Sequence, residues 1–267
     1  MTTTKKKEGS ASKEGIIEFV KSLVSAILVI GTIQTVAYQN FNIPSGSMKP
    51  NLLIGDFLFV SKFAYGYSHY SLPFSPPLFK GRILAQEPKR GEVVVFRPHF
   101  NTKIDFIKRL VGLPGDRIQM REGILYINDE ACPLERVPED FSDHLYMNYF
   151  PGNIEERVYD EEGVKIQQFV QTLPNGVKHL VIKERPFGTG RFDNTDVFVV
   201  PEGHYFMMGD NRDGSDDSRN INHLGFVAQE NLIGRAELIY FSTSAQWWEV
   251  WKWLTHLRYD RLLKFIR

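Results

Sequence analysis

Cysteine is almost absent from this chain, which contains a single one, Cys132. An internal disulfide, a cysteine-rich zinc site and a paired redox motif are therefore excluded. The seven histidines are scattered, and no two lie within one helical turn of each other, so there is no helical two-histidine metal motif. We expect neither a metal nor any other cofactor.

An excess of charge of either sign is also missing. Lysine and arginine together number 32, as do aspartate and glutamate, so the net charge is zero. Nucleic-acid-binding proteins typically concentrate positive charge, and no such partner is expected here. Apolar residues make up 42% of the chain and aromatic residues 13%, which allows a large core and favours strands over a helical bundle.

Only one apolar run is long enough to suggest a membrane. It covers residues 16–39 and, rising ~1.5 Å per residue as a helix, would be about 35 Å long, enough for a bilayer core of about 30 Å. Five lysines precede its uncharged part, whereas the first charge after it is Lys49. By the positive-inside rule we expect a single-pass anchor, a disordered cytoplasmic tail at 1–15 and the remaining chain outside the cytoplasm. A cleaved signal peptide is the alternative, although the run is long for one.

Short runs of β-branched and aromatic residues, bounded by Gly, Pro, Asn and Asp, predict a mainly β fold from Leu52 onward. A catalytic β domain at 40–132 and 191–244 is predicted to be interrupted by a more charged β subdomain or excursion at 133–190, which has no assigned function. Residues 245–267 contain all four tryptophans and predict a short amphipathic helix, either packed on the domain or lying at a membrane interface. The predicted strands lie in LLIGDFLFV, GEVVVF, DRIQM, ILYIN, HLVIKE, DVFVV and HYFMMGD.

The turn IPSGSM at 43–48 follows the apolar run and carries the hydroxyls of Ser45 and Ser47. Pro44 stiffens the approach and Gly46 permits close backbone contact, so the turn can present a serine oxygen and free N–H groups. An ordinary Ser/Gly/Pro loop has the same composition. The functional interpretation requires a base, because a serine hydroxyl alone is a weak nucleophile.

Lysine is the candidate base, because no histidine motif accompanies Ser47. Lowering a lysine pKa from about 10.4 to about 8 takes ~3 kcal/mol of differential desolvation, so the base should lie in an apolar strand. Lys108 lies in such a run, and an extended backbone would place it on one face with Phe106 and Leu110. A lysine at a strand end that reaches out to water is the alternative.

The acidic stretch at 209–219 has the density of a calcium loop but fails the EF-hand template. Gly209 and Asn220 would occupy its first and twelfth positions, where acids are required. Ser215, Asp217 and Arg219 alternate, so an extended backbone would point them one way, and an Asp–Arg pair could fix a hydroxyl near a lysine. An ordinary Asp-rich turn is the alternative.

Together these three stretches resemble the signature sequences of bacterial type I signal peptidases (leader peptidases). The stretches are IPSGSM, FIKRLVGLPGD and GDNRDGSDDSRNINHLGFVAQENLIGRA, in that order, and the similarity extends with gaps from about Ile16 to Phe241. The resemblance implies a membrane-bound Ser/Lys endopeptidase with a mostly β catalytic domain. Many Gram-negative members have two anchors and a disulfide, which this chain does not show, and its segment at 220–223 is slightly longer.

The resemblance also implies roles for individual residues. Ser47 corresponds to the nucleophile and Lys108 to its general base. The Ser45 hydroxyl and the Ser47 N–H correspond to the oxyanion hole. Ser215 corresponds to the serine that orients the lysine. Asp217 and Arg219 correspond to a supporting ion pair. Shallow apolar pockets for small substrate side chains are expected around Ile43, Pro44, Met48, Phe106 and Ile107.

The implied substrates are secretory preproteins, cut after a small-residue, A-x-A-like site at the membrane surface. We expect membrane lipid as a second partner, a monomer, and a location in the bacterial inner membrane. Two other interpretations remain. A self-cleaving Ser/Lys repressor protease would need a DNA-binding head in place of the anchor, and a non-catalytic membrane-anchored β domain would need no reactive Ser47 or Lys108.

Overall fold

The computed structural model describes residues 5–72, 75, 76, 78–137, 166–245, 249–253 and 255–266. Over these residues it has one α-helix followed by a mainly β fold, and the mainly β class agrees with the prediction. Helix α1 covers Lys5–Val36. The strands of the main sheet are β1 (Tyr38–Asn42), β2 (Asp56–Ser61), β3 (Val93–Phe96), β4 (Phe106–Gly112), β12 (His204–Met208), β13 (Val227–Ala228), β14 (Leu232–Ser242) and β15 (Lys264–Phe265). The other strands are β5 (Arg117–Arg121), β6 (Ile124–Ile127), β7 (Glu130–Ala131), β8 (Leu134–Arg136), β9 (Gln167–Thr172), β10 (Lys178–Lys183) and β11 (Phe198–Val199).

Helix α1 contains most of the predicted apolar run. It begins at Lys5 and so also covers residues 5–15 of the predicted disordered tail. The large apolar side chains from Ile16 to Val29 are exposed, Phe19 at 69% and Leu28 at 64%. Within the described part of the chain, no helix reaches the combined length and hydropathy of a membrane span. The anchor therefore stays a prediction.

The main sheet brings together distant parts of the sequence. Among the described residues its order is β1-β2-β14-β3-β4-β12-β13, and β15 also pairs with β14. Every pairing is antiparallel. Strand β14 lies between β2 and β3 and joins the strand that follows the Ser47 turn to the strand beside β4. The sheet therefore places both ends of the predicted catalytic domain in one layer.

An apolar cluster holds the 43–48 turn against this sheet. Ile43 is 3% exposed and Met48 is fully buried, and both pack with Leu58, Val60 and other residues of the same cluster. Burying a large aliphatic side chain stabilises a fold by about 1.5–3 kcal/mol. Because these two residues flank the serines, the core fixes the turn at both ends and leaves its middle at the surface.

The described residues also form two smaller sheets, with the orders β10-β9-β8 and β11-β5-β6-β7. The first comes from the predicted excursion at 133–190, of which residues 138–165 lie outside the described part. Its strand β10 docks on the acidic loop, because the Ile182 N–H donates to Asp210 O at 3.0 Å and the Arg212 N–H donates to Ile182 O at 3.0 Å. The excursion therefore supports the candidate site directly, which the sequence did not indicate.

The predicted amphipathic helix at 245–267 is wrong for the residues that the structure describes. They form 3-10 turns at Val250–Lys252 and Tyr259–Arg261 and then strand β15, which pairs with β14. Arg261 is 1% exposed and binds the buried Asp56 carboxylate, while Leu263 has a left-handed φ of 55° that no α-helix contains. The ion pair between Arg261 and the distant, buried Asp56 therefore outweighs the local amphipathic pattern.

Candidate active site

Ser47 lies in the turn between β1 and β2. The Ile43 N–H donates to Asp56 O at 2.9 Å and the Gly55 N–H donates to Ile43 O at 3.0 Å, so the start of the turn is bonded to the following strand. On its other side the turn is bonded to the acidic loop, because the Asn211 N–H donates to Ser47 O at 3.1 Å. Ser47 is 8% exposed and sits in a backbone held from both sides.

Lys108 lies in β4, opposite Val94 of β3, and reaches the serine. Its Nζ donates a hydrogen bond of 2.7 Å to Ser47 Oγ and another of 3.2 Å to Ile107 O. The residue is 5% exposed, and its Nζ lies 5.4 Å from the centroid of the Phe106 ring. The alternative of a lysine that extends to water is therefore excluded in this structure.

Burial lowers the pKa of Lys108 to about 8, because desolvation disfavours the ammonium form. The carboxylates of Asp217, Asp216 and Asp210 act in the opposite direction, while Arg219 lowers the pKa further. With this pKa, roughly one amine in ten is neutral at pH 7. An amine that is frequently neutral and bonded to a hydroxyl can accept its proton.

The nucleophile candidate also has donors for an anion close by. Ser45 is exposed, and its Oγ lies 3.5 Å from Ser47 Oγ. Within the described residues the Ser47 N–H donates to no acceptor. A fixed N–H and a neighbouring hydroxyl that remain available for a ligand are the elements of an oxyanion hole.

Ser215 is brought to the site but makes no hydrogen bond to Lys108. It is 5% exposed, and its hydroxyl has no hydrogen-bond partner among the described residues. It packs against Gly209, where an added Cβ would lie 2.2 Å from Ser215 Oγ and 2.6 Å from Ser47 O. Gly209 is therefore needed for this close approach, and the role of Ser215 in orienting Lys108 stays a prediction.

Asp217 and Arg219 form the buried ion pair that their alternation indicated. Arg219 Nε and Nη2 donate to the two carboxylate oxygens at 2.8 Å each, and Nη2 also donates to Arg212 O at 2.7 Å. Asp217 Oδ2 accepts the Gly209 N–H at 2.9 Å. Burial opposes the charge of Asp217, yet the Arg219 guanidinium keeps the pKa of this carboxyl below its usual value. The pair thus holds the loop segment that touches Ser47.

A second buried pair, between Arg109 and Asp210, was missed by the sequence analysis. Arg109 Nε and Nη2 donate to the two oxygens of Asp210 at 2.8 Å each, and Asn51 Nδ2 donates to Asp210 Oδ2 at 2.8 Å. Arg109 is fully buried and follows Lys108 directly in the chain. The signal was present, because an arginine inside an apolar strand requires a buried acid.

The residues predicted to contact substrate fall into two groups. Pro44 is exposed, and Phe106 and Ile107 are partly buried beside Lys108, so these three are accessible next to the dyad. Ile43 and Met48 belong to the core under the turn, and Met48 has no exposed surface. Ile43 and Met48 therefore support the turn from the core side. All five residues remain predicted contacts of the substrate.

A mainly β fold whose buried serine hydroxyl accepts a hydrogen bond from a buried lysine has the chemistry of a Ser/Lys hydrolase. Comparison with known proteins identifies the family within this class. The family profile described as "Signal peptidase, peptidase S26" matches residues 16–241, which include Ser47, Lys108 and the whole acidic loop.

Relatives from two Rickettsia species agree with this match. The signal peptidase I of Rickettsia massiliae (strain Mtu5) is 45% identical over 85% of this chain and 80% of its own. That of Rickettsia typhi (strain ATCC VR-144 / Wilmington) is 42% identical over 91% of both chains. A solved signal peptidase I from Enterococcus faecalis V583 is 28% identical and covers 56% of this chain and 97% of that chain, with a TM-score of 0.29. The chain belongs to the signal peptidase family S26, whose members are serine endopeptidases.

Proposed function

We propose that the protein removes N-terminal signal peptides from secretory preproteins, with Ser47 as nucleophile and Lys108 as general base. The observation that carries the proposal is the 2.7 Å hydrogen bond between Lys108 Nζ and Ser47 Oγ in a site where both residues are more than nine-tenths buried. The names of the curated relatives supply the substrate class, since each is a signal peptidase I.

Acylation begins when neutral Lys108 takes the Ser47 proton as Oγ attacks the carbonyl carbon of the scissile bond. The C–N bond then breaks, and the ammonium of Lys108 gives its proton to the leaving amine, which becomes the N-terminus of the mature protein. An ester between Ser47 and the signal peptide remains. Lys108 next takes a proton from water, whose oxygen attacks the ester, and returns a proton to Ser47 Oγ.

Negative charge develops on the carbonyl oxygen in both steps. We assign its stabilisation to the Ser47 N–H and the Ser45 hydroxyl, which lie on the turn that carries the nucleophile. One such donor contributes roughly 3–4 kcal/mol to transition-state stabilisation where it has been measured. The ion pair of Asp217 with Arg219 and the neighbouring Ser215 are proposed to hold the dyad in position.

We further propose that α1 anchors the protein in the bacterial inner membrane as a single pass with its N-terminus in the cytoplasm. The large apolar side chains from Ile16 to Val29 are exposed, and a lipid bilayer would remove them from water. Ser47 follows the start of β1 by only about nine residues, so the site would face the membrane surface, where the apolar part of a signal peptide also lies. Membrane lipid is then a natural partner, and a monomer contains every proposed catalytic group.

Cleavage of a purified secretory preprotein in detergent tests the proposal. Wild type, Ser47→Ala and Lys108→Ala are compared, and product is expected from wild type only, cut after the A-x-A site. Cleavage by either variant would refute the corresponding role. No cleavage by any of the three would favour a non-catalytic envelope protein.

A further inference from the structure

Asn211 lies between the 43–48 turn and the sheet that comes from the excursion at 133–190. Its two chain neighbours are bonded to one residue of β10, because the Ile182 N–H donates to Asp210 O and the Arg212 N–H donates to Ile182 O. Asn211 and Ile182 thus form a parallel β-bridge. Successive residues of an extended chain direct their backbone groups to opposite sides, so the N–H of Asn211 points away from β10. It donates to Ser47 O at 3.1 Å.

The side chain of Asn211 is held as firmly as its backbone. The residue is 4% exposed, its Nδ2 donates to Glu184 Oε1 at 2.7 Å, and its Oδ1 accepts the Gly214 N–H at 2.8 Å. The carboxylate can only accept and the N–H can only donate, so the two partners together fix the orientation of the amide. A buried amide donor without an acceptor is unfavourable, and loss of Glu184 would therefore favour a shift of Asn211.

Glu184 follows β10 and is itself attached to a rigid point. The N–H groups of Glu184 and Arg185 both donate to Asp213 Oδ2 at 2.9 Å. Lys183 Nζ donates to Asp213 Oδ1 at 3.0 Å and to Asp193 Oδ1 at 2.7 Å. The side chains of these three charged residues are at most 4% exposed. The backbone that carries Glu184 is therefore fixed by a buried ionic cluster.

The 43–48 turn fixes Ser47 from the other side. The Lys49 N–H donates to Gly46 O at 3.1 Å. Gly46 O and the Ser47 N–H belong to one planar peptide and point in opposite directions, so this bond orients the proposed oxyanion donor. The bond from Asn211 holds the next peptide, which carries Ser47 O. Both peptides that flank the Ser47 α-carbon are thus held, and from this carbon the hydroxyl extends to Lys108.

We infer that Glu184 is a positioning residue for the nucleophile, and that it acts through Asn211 to keep Ser47 aligned with Lys108 and with the developing oxyanion. Among the described residues Glu184 has no hydrogen bond to either member of the dyad, so its effect is indirect. Displacing a reacting group by about 1 Å can cost about 100-fold in rate. The excursion at 133–190 thereby acquires a role in catalysis. The inference rests on the proposed function, since it concerns the alignment of that dyad.

Glu184→Met and Glu184→Gln form a matched pair, because the two new side chains are of similar length and only glutamine can accept the Asn211 N–H. With full-length protein in detergent, Glu184→Met should lower kcat for preprotein cleavage about 10- to 100-fold and change KM by less than about threefold. Glu184→Gln should stay within about threefold of wild type in kcat. Glu135→Met makes the same substitution at an exposed residue of β8, in the same sheet as β10, and should cleave like wild type.

Two further readouts separate positioning from a general loss of structure. Asn211→Ala removes the same hydrogen bond from the donor side, so Glu184→Met should lower kcat by less than about twofold in that background. The acid limb of kcat/KM in Glu184→Met should stay near the Lys108 pKa of about 8, because Lys108 remains buried. A loosened site that admits water would move this limb toward the ordinary value of 10.5.

Thermal unfolding first establishes that each variant is folded at the assay temperature. If Glu184→Met is not folded, Asn211→Ala takes its place and should show the same loss of kcat. Four results would overturn the positioning role and leave the peptidase intact: wild-type kcat in the variant without the bond, equal losses in Glu184→Met and Glu184→Gln, additive losses in the double variant, or an acid limb at higher pH. Absence of cleavage by wild type, or cleavage that survives in Ser47→Ala, refutes the proposed function itself.

Discussion

Lys108 Nζ and Ser47 Oγ lie 2.7 Å apart, although their residues are 61 positions apart in the chain. The bond joins a strand of the main sheet to a turn that precedes it, and both groups are withdrawn from water. An uncharged amine is the form in which this contact can draw a proton from the serine.

Ser47→Ala should reduce kcat for preprotein cleavage by at least about 1,000-fold, because no other hydroxyl takes the position of the nucleophile. The fold should be retained, since only one oxygen is removed from a turn held by Ile43 and Met48. Cleavage assays and thermal unfolding of the same preparation measure the two effects. Activity within tenfold of wild type would place the nucleophile elsewhere.

The pH profile of kcat/KM should show an acid limb governed by Lys108. Its pKa of about 8 means that the neutral amine is lost as pH falls, so activity should drop about tenfold per pH unit well below 8 and level off above it. Initial rates with one preprotein from pH 5 to 9.5 give the profile. A flat profile between pH 6 and 9 would contradict a lysine base.

Lys108→Met should abolish cleavage without destabilising the fold. The folded-state pKa of about 8 lies below the ordinary value of 10.5, so the unfolded chain holds the proton more tightly. This costs the folded state on the order of 3 kcal/mol below pH 8, and the cost disappears as pH rises toward 10.5. Denaturant unfolding at pH 7 should therefore show a free energy of unfolding equal to or above that of wild type.

The same comparison at about pH 10 provides the control for Lys108→Met, because any gain in stability should shrink there. A variant that unfolds at pH 7 would instead show that Lys108 is a structural residue.

Ser45→Ala should lower kcat by about 100- to 1,000-fold, with a smaller change in KM, because the hydroxyl is proposed to bind the oxyanion and not the ground-state carbonyl. Ser45→Thr keeps the hydroxyl and should retain most of the activity. Steady-state kinetics of the two variants give the kcat and KM values for this comparison. Equal losses in both would assign Ser45 a steric role.

Asp217→Asn should lower the free energy of unfolding by about 3–5 kcal/mol, because it leaves the Arg219 guanidinium buried without its counter-charge. Asp216→Asn is the matched control, since the neighbouring carboxylate is 43% exposed and its loss should change stability by less than about 1 kcal/mol. Urea unfolding of both variants gives the comparison. Equal small losses would mean that the buried pair contributes little.

Much of the fold was predictable from local patterns. All seven runs proposed as strands contain a strand in the structure, because a short run of β-branched and aromatic residues bounded by turn residues is a local property. The central strand β14 was not proposed, since Gly234, Arg235 and Glu237 interrupt its apolar pattern. The polar side chains of Arg235 and Glu237 have partners on other strands or loops, Glu92 for Arg235 and Tyr38 for Glu237.

The sequence by itself determined the family, the serine-bearing turn and the alternation that pairs Asp217 with Arg219, because these depend on residue type and short spacing. Only the tertiary structure decided that Lys108 is buried and bonded to Ser47, that Arg109 is paired with Asp210, and that the described residues after 249 form turns and a strand. The reason is physical. Desolvation and charge pairing depend on which distant segments exclude water from a group, and local periodicity carries no information about that.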